Sequence, residues 1–331
     1  MSLLNKIVGR FTNYFEKLWL FYIRFSLGKK LELGALSKVR QSSRIQSFGT
    51  GTIKIGSYFY IGYNSELYVW NKHLIIGNNT SINDNCKIYG EVSIGSNCLF
   101  ASNIFVSSGS HTYDHSPFLP IKAQDKLVGL NSQVIIEDDC WIGHGVVIMP
   151  GVYIGKGSII GSNSVVTKNI YPYTICAGAP SKEIGKRIDF SNSFIGLSSS
   201  VPEHWPFFYR GIDYRQFELA ETLPDGIAVV NDVSVYLLAR EFCNGVTISG
   251  IANVSLQFEV YVNNLKSEII SVNKGEFNIE VYTILSHKHI LDEFINLPAN
   301  IKSNFNVVII KTLEVNQSNA ELFKVSSIIL I

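Results

Sequence analysis

The residues best equipped for chemistry crowd into one short stretch, Ser107-Ser-Gly-Ser-His-Thr-Tyr-Asp-His-Ser-Pro-Phe-Leu-Pro120, which carries His111, Asp114 and His115. A fourth candidate, His144, follows later in the chain. A neutral imidazole can take the proton of a hydroxyl near pH 7, and such general-base help is worth about 10²–10⁴-fold in rate. Asp114 could polarise a histidine or accept a hydroxyl. His115 could orient His111, hold a substrate or face solvent. The three histidines could superficially offer three nitrogens to zinc. The five cysteines (Cys86, Cys98, Cys140, Cys176 and Cys243) are widely spaced with no Cys-x-x-Cys pair, which fits neither a disulfide framework nor a zinc site. A reducing cytoplasm suits that pattern.

The elements that position these residues follow a six-residue repeat. An aliphatic or aromatic anchor recurs at Ile55, Ile61 and Leu67, then, after a three-residue slip, at Ile76, Ile82, Ile88, Ile94, Phe100 and Val106. A third run holds Ile136, Ile142, Ile148, Ile154, Ile160 and Val166. Glycine often follows the anchor directly, as at 56, 62, 77, 95, 143, 155 and 161. Three residues after the anchor, twelve of the fifteen sites are Asn, Asp or Gly, types that tolerate left-handed backbone angles and tight corners. Small or apolar residues dominate four after it, and Cys86, Cys98 and Cys140 fall there as inward-facing filler. Six is neither a helical period nor simple alternation. It fits a short strand and a corner, repeated, with three sides closing one triangular turn of about eighteen residues. The repeat lapses between Val106 and Ile136, and a long loop inside an ordered solenoid is usually functional. His111 stands in that interval.

These repeats resemble the hexapeptide-repeat acyltransferases over roughly residues 50–188. The densest stretches are Cys140-Trp-Ile-Gly-His-Gly-Val-Val-Ile-Met-Pro-Gly-Val-Tyr-Ile-Gly155, Gly161-Ser-Asn-Ser-Val-Val-Thr-Lys168 and Ala177-Gly-Ala-Pro-Ser-Lys182. The resemblance is greatest to the bacterial enzymes that acetylate sugars and cell-surface polysaccharides. It implies a left-handed parallel β-helix, acetyl-CoA as donor, and a trimer whose slots between subunits hold the donor. It implies that His111 is the general base. It sets the backbone amide of His144 where the family stabilises the oxyanion, although the family serine at this position is replaced here by histidine. Asp114 joins His111 and His144 as a catalytic candidate, and Tyr113 and His115 are candidates for the acceptor. Trp141 and Gly143 would lie near the acyl arm, with Thr167, Lys168, Lys182 and Arg187 toward the nucleotide. The family arginine three positions after Lys182 is Gly185 here, which leaves the phosphate contacts to Lys186 or Arg187. Members that bind zinc place their ligands on regular coils rather than around a proline-containing loop, so no metal is expected.

The resemblance therefore implies an O-acetyltransferase of a cell-surface saccharide, such as capsule or O-antigen. N-acetylation of a nucleotide-linked amino sugar is the alternative by the same machinery. A catalytically silent β-helix scaffold is the alternative of another class, and the presence of His111 speaks against it.

The chain has 331 residues and a formal net charge of +1, with 46% hydrophobic and 17% charged residues, which excludes general disorder and argues against a dedicated nucleic-acid binder. The balance is uneven. Residues 1–45 hold nine basic and two acidic residues, a net of +7. Leu3, Leu4, Ile7, Phe11, Phe15, Leu18 and Tyr22 recur at helical spacing, which predicts an amphipathic helix. Charges interrupt every run long enough to span a membrane. Residues 1–27 either pack on the body or touch anionic lipid, which would seat the protein at the inner face of a membrane.

The expected architecture is mainly β: a helical segment at 1–34, the β-helix at 35–190, a linker at 191–200 and an all-β, sandwich-like domain at 201–331. In that last part alternating runs appear at 232–238, 254–262, 277–284, 306–310 and 323–330, with turns at Asp225-Gly226 and Lys274-Gly275 and a short helix or turn at 287–293. Its aromatics Trp205, Phe207, Phe208, Tyr209 and Tyr214 suit either a glycan contact or a core.

Overall fold

The computed structural model describes residues 3–112, 114, 116, 118–124, 130–189, 194–212, 223, 225–229, 233–241, 243–263, 265–282, 285–286, 299–313 and 323–331. It divides into two units, Met1–Asp189 and Phe190–Ile331.

The first unit is a three-sided parallel solenoid. One face stacks Leu31–Leu33, Thr52–Ile55, His73–Ile76, Val92–Ile94, Val134–Ile136 and Tyr153–Ile154. The second stacks Lys38–Val39, Tyr60–Ile61, Ser81–Ile82, Leu99–Phe100, Trp141–Ile142, Ile159–Ile160 and Thr174–Ala177, and ends on the antiparallel strand Lys182–Lys186. The third stacks Arg44–Phe48, Glu66–Trp70, Lys87–Tyr89, Phe105–Ser107, Val147–Ile148 and Val165–Val166.

All fifteen anchors are buried, none more than 2% exposed. Each burial of such a side chain is worth roughly 1.5–3 kcal/mol. The expected corners turn through left-handed backbone at Asn64, Asn79, Asn85, Asn97, Asn103, Asp139, Gly145, Gly157 and Asn163. The glycine after the anchor answers a different need. At Gly143 an added Cβ would lie 2.7 Å from both the Ile160 carbonyl oxygen and the Ser162 nitrogen, because the next turn's backbone passes directly over it. Side chains also tie turn to turn: Asp138 Oδ1 accepts from the Ser96 amide at 2.7 Å, and Asn79 Nδ2 donates to Asn97 Oδ1 at 2.8 Å.

The solenoid starts earlier than the sequence indicates. Leu31–Leu33 already pairs with Ile53–Ile55, so the helical segment does not extend to 34. Leu33, Val39 and Ile45 are the anchors of a first turn that the repeat starting at Ile55 omits, paired with Ile55, Ile61 and Leu67. Extra residues at the third corner put these anchors out of step with the later runs.

The predicted N-terminal helix is present as Leu3–Leu27. It packs on the first turn. Ile23 is buried, and Trp19, Leu20 and Leu27 lie against the same core. Trp19 Nε1 donates to the Ser43 carbonyl at 3.2 Å, and Glu16 pairs with Arg40. Hydrogen bonds to Tyr60 and Glu16 raise the Arg40 pKa further, so this guanidinium stays charged.

The second unit consists of two antiparallel sheets. One contains Gly196–Ser198, Ile227–Val229, Phe323–Leu330, Gly245–Ala252 and Gly275–Tyr282. The other contains Phe208–Arg210, Val233–Ala239, Phe305–Leu313, Leu256–Val262, Leu265–Lys266, Ile270–Val272 and Leu285–Ser286. Phe258 of the second sheet stacks on Phe323 of the first at 6.0 Å, which makes a sandwich core. Residues 196–198 are therefore a paired strand and not linker. Phe207, Phe208 and Tyr209 are core residues at 2%, 0% and 1% exposure, which removes them as glycan contacts. Trp205 donates to the Ser199 carbonyl at 2.7 Å. Tyr214 and the predicted turn at 287–293 lie outside the described residues.

Replacing Ile142, fully buried at the middle of the stack, with alanine is expected to cost about 2–5 kcal/mol, the range for truncating a packed aliphatic. Denaturant titration of the full chain reads this as a lowered midpoint.

Candidate active site

The loop that carries His111 leaves the stack without disturbing it. Val92–Ile94 pairs directly with Val134–Ile136, and Phe105–Val106 with Val147–Ile148, as if nothing intervened. At its base, Gly109–Ser110 pairs antiparallel with Leu130–Asn131, forming a two-stranded ribbon. Ser132 N–H donates to the Ser108 carbonyl at 2.8 Å, and the buried Ser108 hydroxyl accepts from the Glu91 amide at 2.8 Å. Thr112 is buried, whereas His111 and Asp114 are exposed. The histidine thus directly follows a paired ribbon and is reachable from solvent. Tyr113 and His115 lie outside the described residues.

Further along, Gln124 ties the loop to itself. It is only 1% exposed; its Nε2 donates to the Leu119 carbonyl at 2.8 Å and its Oε1 accepts from the Ser116 amide at 3.0 Å. Sequence reading missed this clamp, because a lone glutamine in a polar loop gives no signal of burial. Phe118, Leu119 and Ile121 are exposed, Phe118 at 99%. A loop tip of this composition is apolar surface without cover in one chain.

His144 occupies a different corner. It follows Trp141–Ile142 on the second face and precedes Val147–Ile148 on the third. Its Nε2 sits 3.3 Å from Asn103 Nδ2, and its carbonyl accepts from Asn163 N–H at 2.7 Å. Asn103, a partner that sequence reading treated only as a corner residue, holds the ring against the stack. The ribbon of His111 departs from the far end of the third face, after Phe105–Ser107. Topology therefore places His111 and His144 at opposite edges of one prism face, about five residues of extended chain apart, or on the order of 16 Å.

The remaining candidates divide between these edges. Trp141 is 53% exposed on the second face, and Gly143 is buried beside it. Thr167 and Lys168 are exposed just beyond Val165–Val166, at the corner from which the His111 loop departs, in a later turn. Lys182 is exposed on the terminal antiparallel strand. Arg187 is occupied elsewhere: its NH1 donates to Asp139 Oδ2 at 2.7 Å and to the Gly157 carbonyl at 3.3 Å, pinning the corner between the first and second faces. That leaves Lys182 and Lys186 as the exposed cations of this strand.

Comparison with known proteins bears on this architecture. Residues 133–168 match the family described as bacterial transferase hexapeptide (six repeats). A chloramphenicol acetyltransferase of Morganella morganii is 32% identical over 176 residues, 46% of this chain and 76% of that protein. The chain belongs to the hexapeptide-repeat acyltransferases. WbbJ of Escherichia coli, assigned to O-acetyl transfer in lipopolysaccharide biosynthesis, is 33% identical over 142 residues, 41% of this chain and 72% of that protein. The galactoside O-acetyltransferase of Escherichia coli is 35% identical over 127 residues, 38% of this chain and 56% of that protein. As a hexapeptide-repeat acyltransferase, the chain winds its solenoid as a left-handed parallel β-helix.

Three buried thiols of this acyltransferase, Cys86, Cys140 and Cys176, are poor nucleophiles. Burial pushes the Cys86 and Cys176 thiols up to about 11, and burial with a hydrogen bond to Cys98 raises Cys140 well above the ordinary thiol value. Near pH 7.5 a thiol of that pKa holds roughly a hundredth or less of the usual thiolate. Alkylation of the folded chain with iodoacetamide should therefore leave Cys86, Cys140 and Cys176 unmodified by peptide mass mapping, whereas denaturant exposes all three. Labelling in the folded chain at the rate of free cysteine would contradict this burial.

Proposed function

We propose that this acyltransferase transfers acetyl from acetyl-CoA to a hydroxyl of a cell-surface saccharide, with His111 as general base. The observation that carries the reading is the loop: a ribbon-anchored, exposed histidine inserted into an otherwise uninterrupted coil of an acyltransferase family. Relatives named for galactoside and lipopolysaccharide O-acetylation support a saccharide acceptor. In the proposed reaction the acceptor hydroxyl yields its proton to His111 as its oxygen attacks the thioester carbonyl. The amide N–H of His144, for which no acceptor stands among the described residues, is open to the developing oxyanion. Collapse breaks the carbon–sulfur bond, and the proton held on His111 passes to the departing thiolate. No covalent acyl-enzyme is needed, in keeping with the raised thiol pKa values.

The opposite placement of His111 and His144 supports a site shared between copies, in which the loop of one subunit meets the second face of its neighbour. A homotrimer satisfies this, and the exposed Phe118, Leu119 and Ile121 would be covered by it. Asp114 lies beside His111 in sequence and is exposed, so it is available to steer an acceptor. Trp141, Gly143, Thr167, Lys168 and Lys182 are assigned to the donor. Five free cysteines fit a cytoplasmic setting.

His111→Ala is expected to lower turnover by about 10²–10⁴-fold while donor affinity is kept, read by steady-state kinetics and calorimetric titration with CoA. Unchanged turnover would refute the base assignment. Incubating the enzyme with labelled acetyl-CoA and a glycan panel should give label released by mild base, the mark of an O-acetyl ester. Base-stable label would instead establish N-acetylation of an amino sugar. Light scattering of the active enzyme should report three subunits, and a fully active monomer would remove the shared site.

A further inference from the structure

The N-terminal helix has two faces, and only one is explained by packing. Glu16, Trp19, Leu20, Ile23 and Leu27 point at the solenoid or lie against it. On the other side Tyr14, Phe15, Leu18, Phe21, Tyr22 and Phe25 are exposed by 46–80%. At 100° per residue these six fall within an arc of about 120°, a continuous aromatic stripe along the helix. The exposed Lys17 lies along one flank of that stripe and the exposed Lys29 follows the helix end, while Arg24 on the same flank donates from Nη2 to the Leu33 carbonyl at 3.2 Å. Glu16 is the only acidic residue in the helix sequence, and it is turned inward in its pair with Arg40. The outward side is thus apolar and cationic, with no carboxylate.

We propose that this face docks the protein on an anionic lipid bilayer, with the helix lying in the interface. The charge selects the occupant. A second copy of the helix would bring the same cations against one another with no carboxylate of the helix to offset them, whereas an anionic headgroup layer attracts them at about 1 kcal/mol per nearby Lys or Arg. Tyr14 and Tyr22 suit the headgroup boundary, where the ring is buried and the hydroxyl stays wet, and the Phe rings supply apolar surface to bury beneath it. No helix among the described residues is long and apolar enough to cross a membrane, so the arrangement is lying on, not spanning. The helix covers the first turn, and the His111 ribbon leaves the stack after the fourth strand of the third face. At about 4.8 Å per turn, the loop stands roughly 20 Å above the helix layer. Resting on the proposed function, this geometry suits an acceptor saccharide held at a membrane surface.

The test is co-sedimentation of the full-length protein with vesicles of phosphatidylcholine alone or containing one third phosphatidylglycerol. Binding is expected only to the anionic vesicles and should weaken by at least fivefold between 50 and 500 mM salt, since exposed charges are screened over that range. Phe21→Glu with Phe25→Glu should lower partitioning at least tenfold, and Lys17→Glu with Lys29→Glu should do the same. Both variants should retain the wild-type rate on a small soluble acceptor, which also confirms that they fold. Equal binding to neutral vesicles, or undiminished binding by either variant, would overturn the proposal. So would a change in oligomeric state for the Phe21/Phe25 variant, which would make the stripe a contact between copies. Vesicle binding is read without turnover, so its failure is distinct from failure of the acetyl-transfer reading.

Discussion

Everything in the first unit depends on one constraint: each turn must lay its backbone on the turn before it, in register, at hydrogen-bond distance. The amide of Gly143 donates to the Ile160 carbonyl at 2.8 Å, that of Trp141 to Ser158 at 3.0 Å, and that of Val147 to Ser164 at 2.9 Å. The sequence requirements all follow. The inward anchor fills the prism, the residue after it must leave room for the next backbone, and the corner must reach left-handed angles. The same constraint explains the low charged fraction. Most positions of each six-residue unit are taken by inward aliphatics, small residues and corner formers, which leaves few outward sites for charge.

Such a scaffold can accept insertions only at corners, because an insertion within a side would displace every later anchor from the core. The His111 loop obeys this rule. It leaves after Ser107 and returns before Val134, while the pairs Ile94–Ile136, Phe100–Ile142 and Val106–Ile148 stay in register across it. Reactive groups are thereby confined to corners and outward rows. His111 and His144 fall on different corners of one face, and a flat three-sided prism cannot fold one corner onto another. The proposed site shared between copies rests on this separation of the two corners.

Much of this was legible in the sequence because the constraint acts on every turn. Fifteen anchors in phase, the corner asparagines and the inward cysteines all follow from stacking alone. The first turn was not legible. Leu33, Val39 and Ile45 keep the six-residue step, but the corner from Phe48 to Thr52 is longer, so they fall out of phase with the later run. Leu36 and Tyr58 also hold left-handed angles without the expected residue type. The aromatic cluster near Trp205 was ambiguous for another reason. A run such as Phe207-Phe208-Tyr209 has the same composition in a core as on a binding surface, and only the packing against Tyr236 and Phe305 decides. In the candidate site, residue types marked His111 and His144, but Gln124 and Asn103 act through contacts that no spacing announces. Arg187, placed toward the nucleotide by the resemblance, also pairs with Asp139, a contact its position in the sequence does not announce.

A stacked solenoid also has two open ends, each a row of unpaired backbone groups and exposed core that would recruit another strand. The two ends are closed differently. At the far end the chain reverses, and Lys182–Lys186 pairs antiparallel on Thr174–Ala177, with Lys182, Glu183 and Lys186 exposed. An antiparallel, charged edge does not continue a parallel coil. At the near end the helix covers the first turn, with Ile23 buried over its core and Trp19 satisfying the Ser43 carbonyl. A cap needs only one apolar face, and a helix built solely for that task would carry polar residues on the other. This helix instead presents Phe21 and Phe25 outward beside Lys17. Capping accounts for the inward half of the helix and leaves the outward aromatic half without a role in the stack, which is the half assigned to the proposed bilayer contact.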